Sequence, residues 1–165
     1  KYILGAAHRS ENVDNQESLS SIFKALGKLV ERYQLVIIYP MHPRTKSKLG
    51  AIDIPPQVRI MAPLGFYDFN QLLKKSYCVL SDSGTAAEEG LFYKVPNVSL
   101  RMATERMETL ESGATIVSGL NVDNIVESVT TAVKKPWCAR YELEENSSPS
   151  SVVINALGTQ ITNFF

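Results

Sequence analysis

Tyr77-Cys78-Val79-Leu80-Ser81-Asp82-Ser83-Gly84-Thr85-Ala86-Ala87-Glu88-Glu89-Gly90-Leu91 is the stretch on which the fold turns. Tyr77 to Leu80 is β-rich and predicts a strand. Thr85 to Leu91 is helix-prone, and a small polar turn with one glycine separates the two. The first N–H groups of a helix lack intrahelical partners, and the helix dipole adds partial positive charge there. Such a turn seats a phosphate. Glu88 and Glu89 follow one turn later, within reach of a sugar hydroxyl attached to that phosphate. The turn therefore reads as a holder for the diphosphate end of a nucleotide.

Outward from this stretch the same alternation recurs. Tyr2 to Ala7 predicts a buried strand that ends in the polar cluster His8-Arg9-Ser10-Glu11-Asn12. Ser18 to Tyr33 has helical spacing of Leu19, Ile22, Phe23, Leu26, Leu29 and Val30, with Asn15 or Ser18 as the cap. Leu35 to Tyr39 is a continuous apolar run, as in a strand covered on both faces. Pro40-Met41-His42-Pro43-Arg44 ends it, and Thr45 to Leu49 is a short helix. Val58 to Met61 is a third strand. Pro63-Leu64-Gly65 turns into a helix, Tyr67 to Lys75, with Phe66, Phe69, Leu72 and Leu73 inward. After the central stretch come a strand at Asn97 to Leu100, a polar loop from Arg101 to Thr109, a strand at Thr115 to Val117 and a helix at Val122 to Val133. Pro136 to Pro149 reads as irregular and Ser150 to Phe165 as a last helix. Strand and helix alternate six times. The pattern predicts an α/β fold, a three-layer Rossmann-like domain with a mostly parallel sheet. Ligands of such sheets bind beyond the carboxyl ends of the strands.

Chemistry collects at those ends. His8, Arg9, Ser10 and Glu11 follow the first strand, His42 and Arg44 the second, Asp82, Ser83 and Gly84 the fourth, and Arg101, Thr104, Glu105 and Arg106 the fifth. Plainer readings exist for each. His42 caps a turn, Ser83-Gly84 is an ordinary helix start, Glu88-Glu89 in a first turn favours the dipole, and the arginines are solvated. The cap and anion readings are compatible, since a cap that leaves N–H groups free is also an anion site. The sequence has no G-x-G-x-x-G fingerprint, Walker A loop or G-x-S-x-G elbow, and its two histidines and two cysteines lack metal-ligand spacing. With 17 basic and 17 acidic residues the formal charge is zero, which argues against nucleic-acid and membrane surfaces. Two cysteines, Cys78 and Cys138, make no disulfide framework and fit a reducing, cytoplasmic setting.

Taken together the motifs resemble the non-hydrolysing UDP-N-acetylglucosamine 2-epimerases. His8-Arg9-Ser10-Glu11-Asn12 looks like the family's HR-x-EN signature, and Tyr39-Pro40-Met41-His42-Pro43 like its YP-x-H segment. Pro63 to Phe69 is similar to its PL-x-Y/F-x-x-F turn, Asp82-Ser83-Gly84 with Glu88-Glu89 to DSG-x-x-x-EE, and Thr104-Glu105-Arg106 to TER. The likeness runs from Ile3 to about Val133, in order and spacing. The resemblance implies a GT-B-type enzyme of two Rossmann-like halves, of which residues 1–165 are the C-terminal, UDP-binding one. A start on Lys1-Tyr2-Ile3-Leu4, already in a strand pattern, fits a fragment. The implied reaction is inversion at C2 of a UDP-sugar, by anti elimination of UDP to a 2-acetamidoglucal and syn re-addition.

Carried over residue by residue, Ser83 and Gly84 bind the diphosphate and Glu89 the ribose hydroxyls. Phe69 lies near the uracil, His42 and Arg106 contact phosphates or sugar, and His8 is catalytic. Arg9 and Glu11 sit where some members bind a second, activating UDP-sugar. The resemblance implies no cofactor and no metal. Its partners are a UDP-sugar, the N-terminal half that carries the general base, and a second copy in a homodimer of the full-length enzyme. Thr85-Ala86-Ala87 stands where the common family version has GIQ, and Met107 where it has proline. Asp82-Ser83-Gly84-Thr85, together with Met41-His42-Pro43-Arg44-Thr45 and the Pro63-Leu64-Gly65-Phe66 turn, leans toward a capsule and O-antigen branch yielding UDP-N-acetyl-L-fucosamine. A GT-B glycosyltransferase, or a non-catalytic nucleotide-sugar-binding domain, is the alternative.

Overall fold

The computed structural model describes residues 1–134. The readings made for Pro136 to Pro149, for Ser150 to Phe165 and for Cys138 lie outside the described residues. The strands are β1 (Tyr2–Ala6), β2 (Val36–Pro40), β3 (Val58–Met61), β4 (Cys78–Ser81), β5 (Asn97–Ser99) and β6 (Thr115–Val117). The helices are α1 (Ser10–Val13), α2 (Gln16–Tyr33), α3 (Pro43–Lys48), α4 (Phe66–Lys75), α5 (Gly84–Tyr93), α6 (Met107–Glu111) and α7 (Val122–Lys134). The strands form one sheet in the order β3-β2-β1-β4-β5-β6. Every pairing among the described residues is parallel, as expected of a mostly parallel sheet.

This order positions the site. From β1 the chain steps outward through β2 to β3, returns to β4 on the other side of β1, and steps outward again. Register places Ile3 beside both Ile37 and Cys78, and Ala6 beside Ser81. The loops leaving β1 and β4 depart in opposite directions, which opens a crevice between the carboxyl ends of these two central strands. Both faces of the sheet are covered. Ile3, Ile37, Cys78, Leu80 and Val98 pack with α2 and α7 residues such as Phe23, Leu26, Ile125 and Val129. Leu4 and Val79 face the other way, with Leu73 and Ala86. Successive strand residues thus serve opposite cores, which is why these strands are apolar throughout.

Local chemistry sets the helix ends. Asn15, one of the two expected caps, accepts from Glu17 N and Ser18 N through its side chain, and Gln34 closes α2 in the left-handed region at φ 53°. Cys78 is fully buried, and burial pushes its thiol up to about 12, leaving it inert. Two expectations need correction. Phe66 is not inward. It is 67% exposed at the first position of α4, where no preceding turn covers it. The stretch Arg101 to Thr109 is not all loop, because Met107 starts the five-residue α6.

One close approach supports the central sheet. Ala7 N–H donates to the hydroxyl of fully buried Tyr39 at 3.0 Å, and the Tyr39 ring lies over Gly5. A Cβ at Gly5 would stand 2.8 Å from that ring. Gly5→Ala should therefore destabilise the fold by about 1–3 kcal/mol, the range for an overpacked core. Urea titration checks this, and an unchanged midpoint would contradict it.

Candidate functional site

The crevice holds a cavity of about 290 Å³ lined by His8, His42, Phe66, Phe69, Ser83, Thr85 and Glu89, with Ala6, Pro40, Pro63, Leu64, Asn70 and Ser81. Five residues singled out in the sequence meet here: His8, His42, Phe69, Ser83 and Glu89. They come from the ends of three strands and from two helices. The rings of His8 and His42 stand 6.3 Å apart. His42 does what the plainer reading held. Its Nδ1 accepts from Arg44 N at 3.2 Å and caps α3, while its ring lines the cavity. Arg44 itself turns away to an ion pair with Asp14, and this guanidinium holds the Asp14 carboxyl below its usual range.

The start of α5 is open. Ser83 is its N-cap but makes no side-chain cap hydrogen bond, since its hydroxyl lies 2.9 Å from that of Thr85. The first α5 N–H groups therefore have no capping acceptor from Ser83, as an anion seat requires. Arg106 lies over this end. A Cβ at Gly84 would meet Arg106 Nε at 3.0 Å, so the glycine lets the guanidinium approach. Arg106 Nη1 pairs with Glu88 at 3.2 Å, and its buried Nε has no hydrogen-bond partner among the described residues. Glu88 and Glu89 stand in the second turn of α5, not the first, so the simple dipole reading does not apply to them. They also face differently. Glu88 is exposed and paired with Arg106, whereas Glu89 is half-buried at the cavity. Burial raises the Glu89 carboxyl pKa, the nearby Asn70 amide opposes this, and the Glu88 charge adds to the rise.

Arg9 and Glu11 are not in the cavity. Arg9 Nε donates to Asp82 O at 2.8 Å, and its Nη2 lies 3.9 Å from Glu105. Glu11 lies 3.9 Å from Arg101, which pairs with Glu105 at 2.7 Å. A charged network thus joins the loops after β1 and β5 beside the cavity.

Sequence reasoning gave no role to Asp82, Asn12 or Asn70. Asp82 is fully buried and accepts from His8 N, Arg9 N and Asn12 Nδ2, at 3.0, 2.9 and 3.0 Å on Oδ2. Asn12 also donates to Leu100 O at 2.9 Å. The pair clips together the loops after β1, β4 and β5. A carboxylate that directly ends an apolar strand was the available signal, because a buried charge needs several donors.

A family model described as UDP-N-acetylglucosamine 2-epimerase matches residues 1–151. The UDP-N-acetylglucosamine 2-epimerase of Methanocaldococcus jannaschii is 37% identical over 140 residues, covering 81% of this chain and 38% of that protein. The UDP-2,3-diacetamido-2,3-dideoxy-D-glucuronate 2-epimerase of Pseudomonas aeruginosa is 35% identical over 134 residues, with the same shares of 81% and 38%. A crystal structure of the M. jannaschii enzyme with UDP-GlcNAc and UDP superposes with TM-score 0.82 at 33% identity, covering 96% of this chain and 45% of that one. The chain spans less than half the length of these relatives.

Proposed function

Because this chain belongs to the UDP-N-acetylglucosamine 2-epimerase family, we propose that it is the C-terminal, UDP-binding half of a GT-B-type UDP-sugar 2-epimerase. The observation that carries this is the cavity at the β1–β4 crevice, where His8, His42, Phe69, Ser83 and Glu89 surround an open helix start overlain by Arg106. In this reading the diphosphate rests on the Ser83 hydroxyl and the Gly84 N–H, since the Ser83 N–H already donates to Ser81 Oγ at 3.1 Å, and draws Arg106 toward it. Glu89 accepts from the ribose hydroxyls, and Phe69 flanks the uracil. The base on the N-terminal half removes the C2 proton. The C1–O bond breaks with its electron pair leaving on UDP, and a C1=C2 double bond forms. UDP stays bound, then re-adds at C1 as C2 is protonated on its other face. The charge that grows on the departing diphosphate is what fixed donors and cations stabilise in the transition state.

The finer assignment is a UDP-N-acetylhexosamine epimerase of the capsule and surface-polysaccharide type, with UDP-N-acetyl-L-fucosamine as product. The exposed Thr85 at the cavity edge, where the common version of the family has glycine, supports it. The full-length enzyme would act in the cytoplasm as a homodimer. Arg9 and Glu11, outside the cavity but tied to Arg101 and Glu105, would border a second, activating nucleotide-sugar site.

The test is C2 deuteration and epimer formation from UDP-sugars in D2O, followed by NMR. The intact enzyme should turn over, while the 165-residue chain should bind UDP weakly and not epimerise. Clear turnover by the isolated chain contradicts the reading, and a product with an acceptor sugar attached marks a glycosyltransferase instead.

The two glutamates should separate in calorimetry. Glu89→Ala should weaken UDP binding roughly tenfold, the loss of one charge-assisted hydrogen bond, and Glu88→Ala by much less. Equal effects would remove the ribose assignment. The raised pKa of Glu89 sets the pH dependence. Its folded-state value lies above the unfolded one, so ionisation near neutral pH costs the free fold stability that returns as pH falls through the raised value. UDP affinity should run the opposite way, falling as Glu89 takes up a proton. Glu89→Gln should thus hold the melting temperature at neutral pH or raise it while weakening UDP.

A further inference from the structure

The loop after β1 is anchored on one carboxylate, and that carboxylate also faces an imidazole. Asp82 Oδ2 receives three donors, from His8 N, Arg9 N and Asn12 Nδ2. Oδ1 accepts more weakly from His8 N at 3.2 Å and stands 3.5 Å from His8 Nδ1. Asp82 is fully buried, whereas the His8 side chain is 50% exposed, at the cavity. One ring nitrogen therefore faces a buried anion, and the opposite one is left for the cavity.

We propose that Asp82 is a positioning residue, which holds His8 with Nδ1–H directed at its own Oδ1 so that Nε2 is presented to the bound anion. A carboxylate can only accept, so it selects the imidazole form with hydrogen on Nδ1. When His8 is protonated, Nε2–H points at the departing diphosphate, and Asp82 stabilises the cation from behind. The pairing is the carboxylate–imidazole relation used wherever a histidine must keep one orientation. The proposal rests on the epimerase reading for its catalytic consequence, but not for its geometry.

Asp82→Asn discriminates, because the clip dictates how the amide must sit. The three donors on Oδ2 require the amide oxygen there. The NH2 group then occupies the Oδ1 position and donates to His8 Nδ1, forcing hydrogen onto Nε2. Two readouts follow. With two histidines in the chain, long-range ¹H–¹⁵N spectra of the neutral imidazoles are simple to assign. His8 should carry hydrogen on Nδ1 in the wild type and on Nε2 in Asp82→Asn, with His42 unchanged. In the intact enzyme kcat should fall about tenfold or more while KM stays within about threefold, because the amide leaves Nε2–H on a neutral ring and removes the carboxylate that stabilises an imidazolium facing the departing diphosphate. An Nε2–H tautomer of His8 in the wild-type chain overturns the proposal, and that spectrum needs no variant to fold. An Asp82→Asn enzyme with wild-type kcat also overturns it. If the intact enzyme proves not to be an epimerase, the spectra still decide the pairing.

Discussion

Asp82→Ala is expected to destabilise the folded chain by about 4 kcal/mol, since loss of one partner from a buried ionic network costs about 3–5 kcal/mol. Asp82 is fully enclosed, and its carboxylate is an acceptor for His8 N, Arg9 N and Asn12 Nδ2. Alanine leaves these donors facing a cavity, two of them backbone groups that cannot turn away. Asn12 would keep only Leu100 O. The damage should spread along the carboxyl edge, because the loops after β1, β4 and β5 share this clip. Urea denaturation gives the magnitude, and hydrogen exchange should show protection lost first at His8, Arg9 and the start of α5. A loss below about 1 kcal/mol would mean that water replaces the carboxylate and that the clip matters little. Arg9→Ala makes a useful comparison. It removes only the donor to Asp82 O and a long contact to Glu105, and it should cost far less.

The largest effect on ligand binding is expected at Arg106. Arg106→Ala should weaken UDP about 10- to 100-fold, the worth of one charged hydrogen-bonding group on a phosphate at about 1.5–3 kcal/mol. The guanidinium already lies over Gly84, with Nε buried and unpartnered among the described residues. Its present partner, Glu88, is a half-exposed surface contact of the kind worth little. Exchange of Glu88 for a diphosphate therefore gives up little and supplies a stronger anion. Arg106→Lys should recover only part of the affinity, since an ammonium lacks the planar fork. Stability should barely change in either variant. Calorimetry with UDP checks the prediction, and wild-type affinity in Arg106→Ala would place the diphosphate elsewhere.

These residues also mark the limit of what a single sequence reveals. The strands were legible because a parallel sheet buried on both faces demands unbroken apolar runs, as in Leu35 to Tyr39 and Cys78 to Leu80. The long helices were legible from their period. The four-residue α1 and five-residue α6 were not, since neither completes two turns of any pattern. Phe66 went wrong at an element boundary, where helical periodicity assigns a face to a residue that has no turn before it. The cavity residues His8, His42 and Ser83 could be found because the carboxyl-end rule collects them without knowledge of contacts, and Glu89 because it follows that turn along the helix. Asp82 could be seen but not understood. Its partners His8, Arg9 and Asn12 lie 70 to 74 positions away, and only the strand order puts β1 against β4. Arg44, two residues after His42 in sequence, serves Asp14 rather than the cavity, which its position alone does not reveal.

The cavity is expected to seat the diphosphate of UDP on the start of α5. Titration of ¹⁵N-labelled chain with UDP, read by amide chemical shifts, tests it most directly. The largest shifts are expected at Ser83, Gly84 and Thr85, smaller ones at His8, Phe69 and Glu89, and a matching response of the Arg106 Nε–H. Shifts confined to residues away from the β1–β4 crevice, or none at saturating UDP, would contradict it.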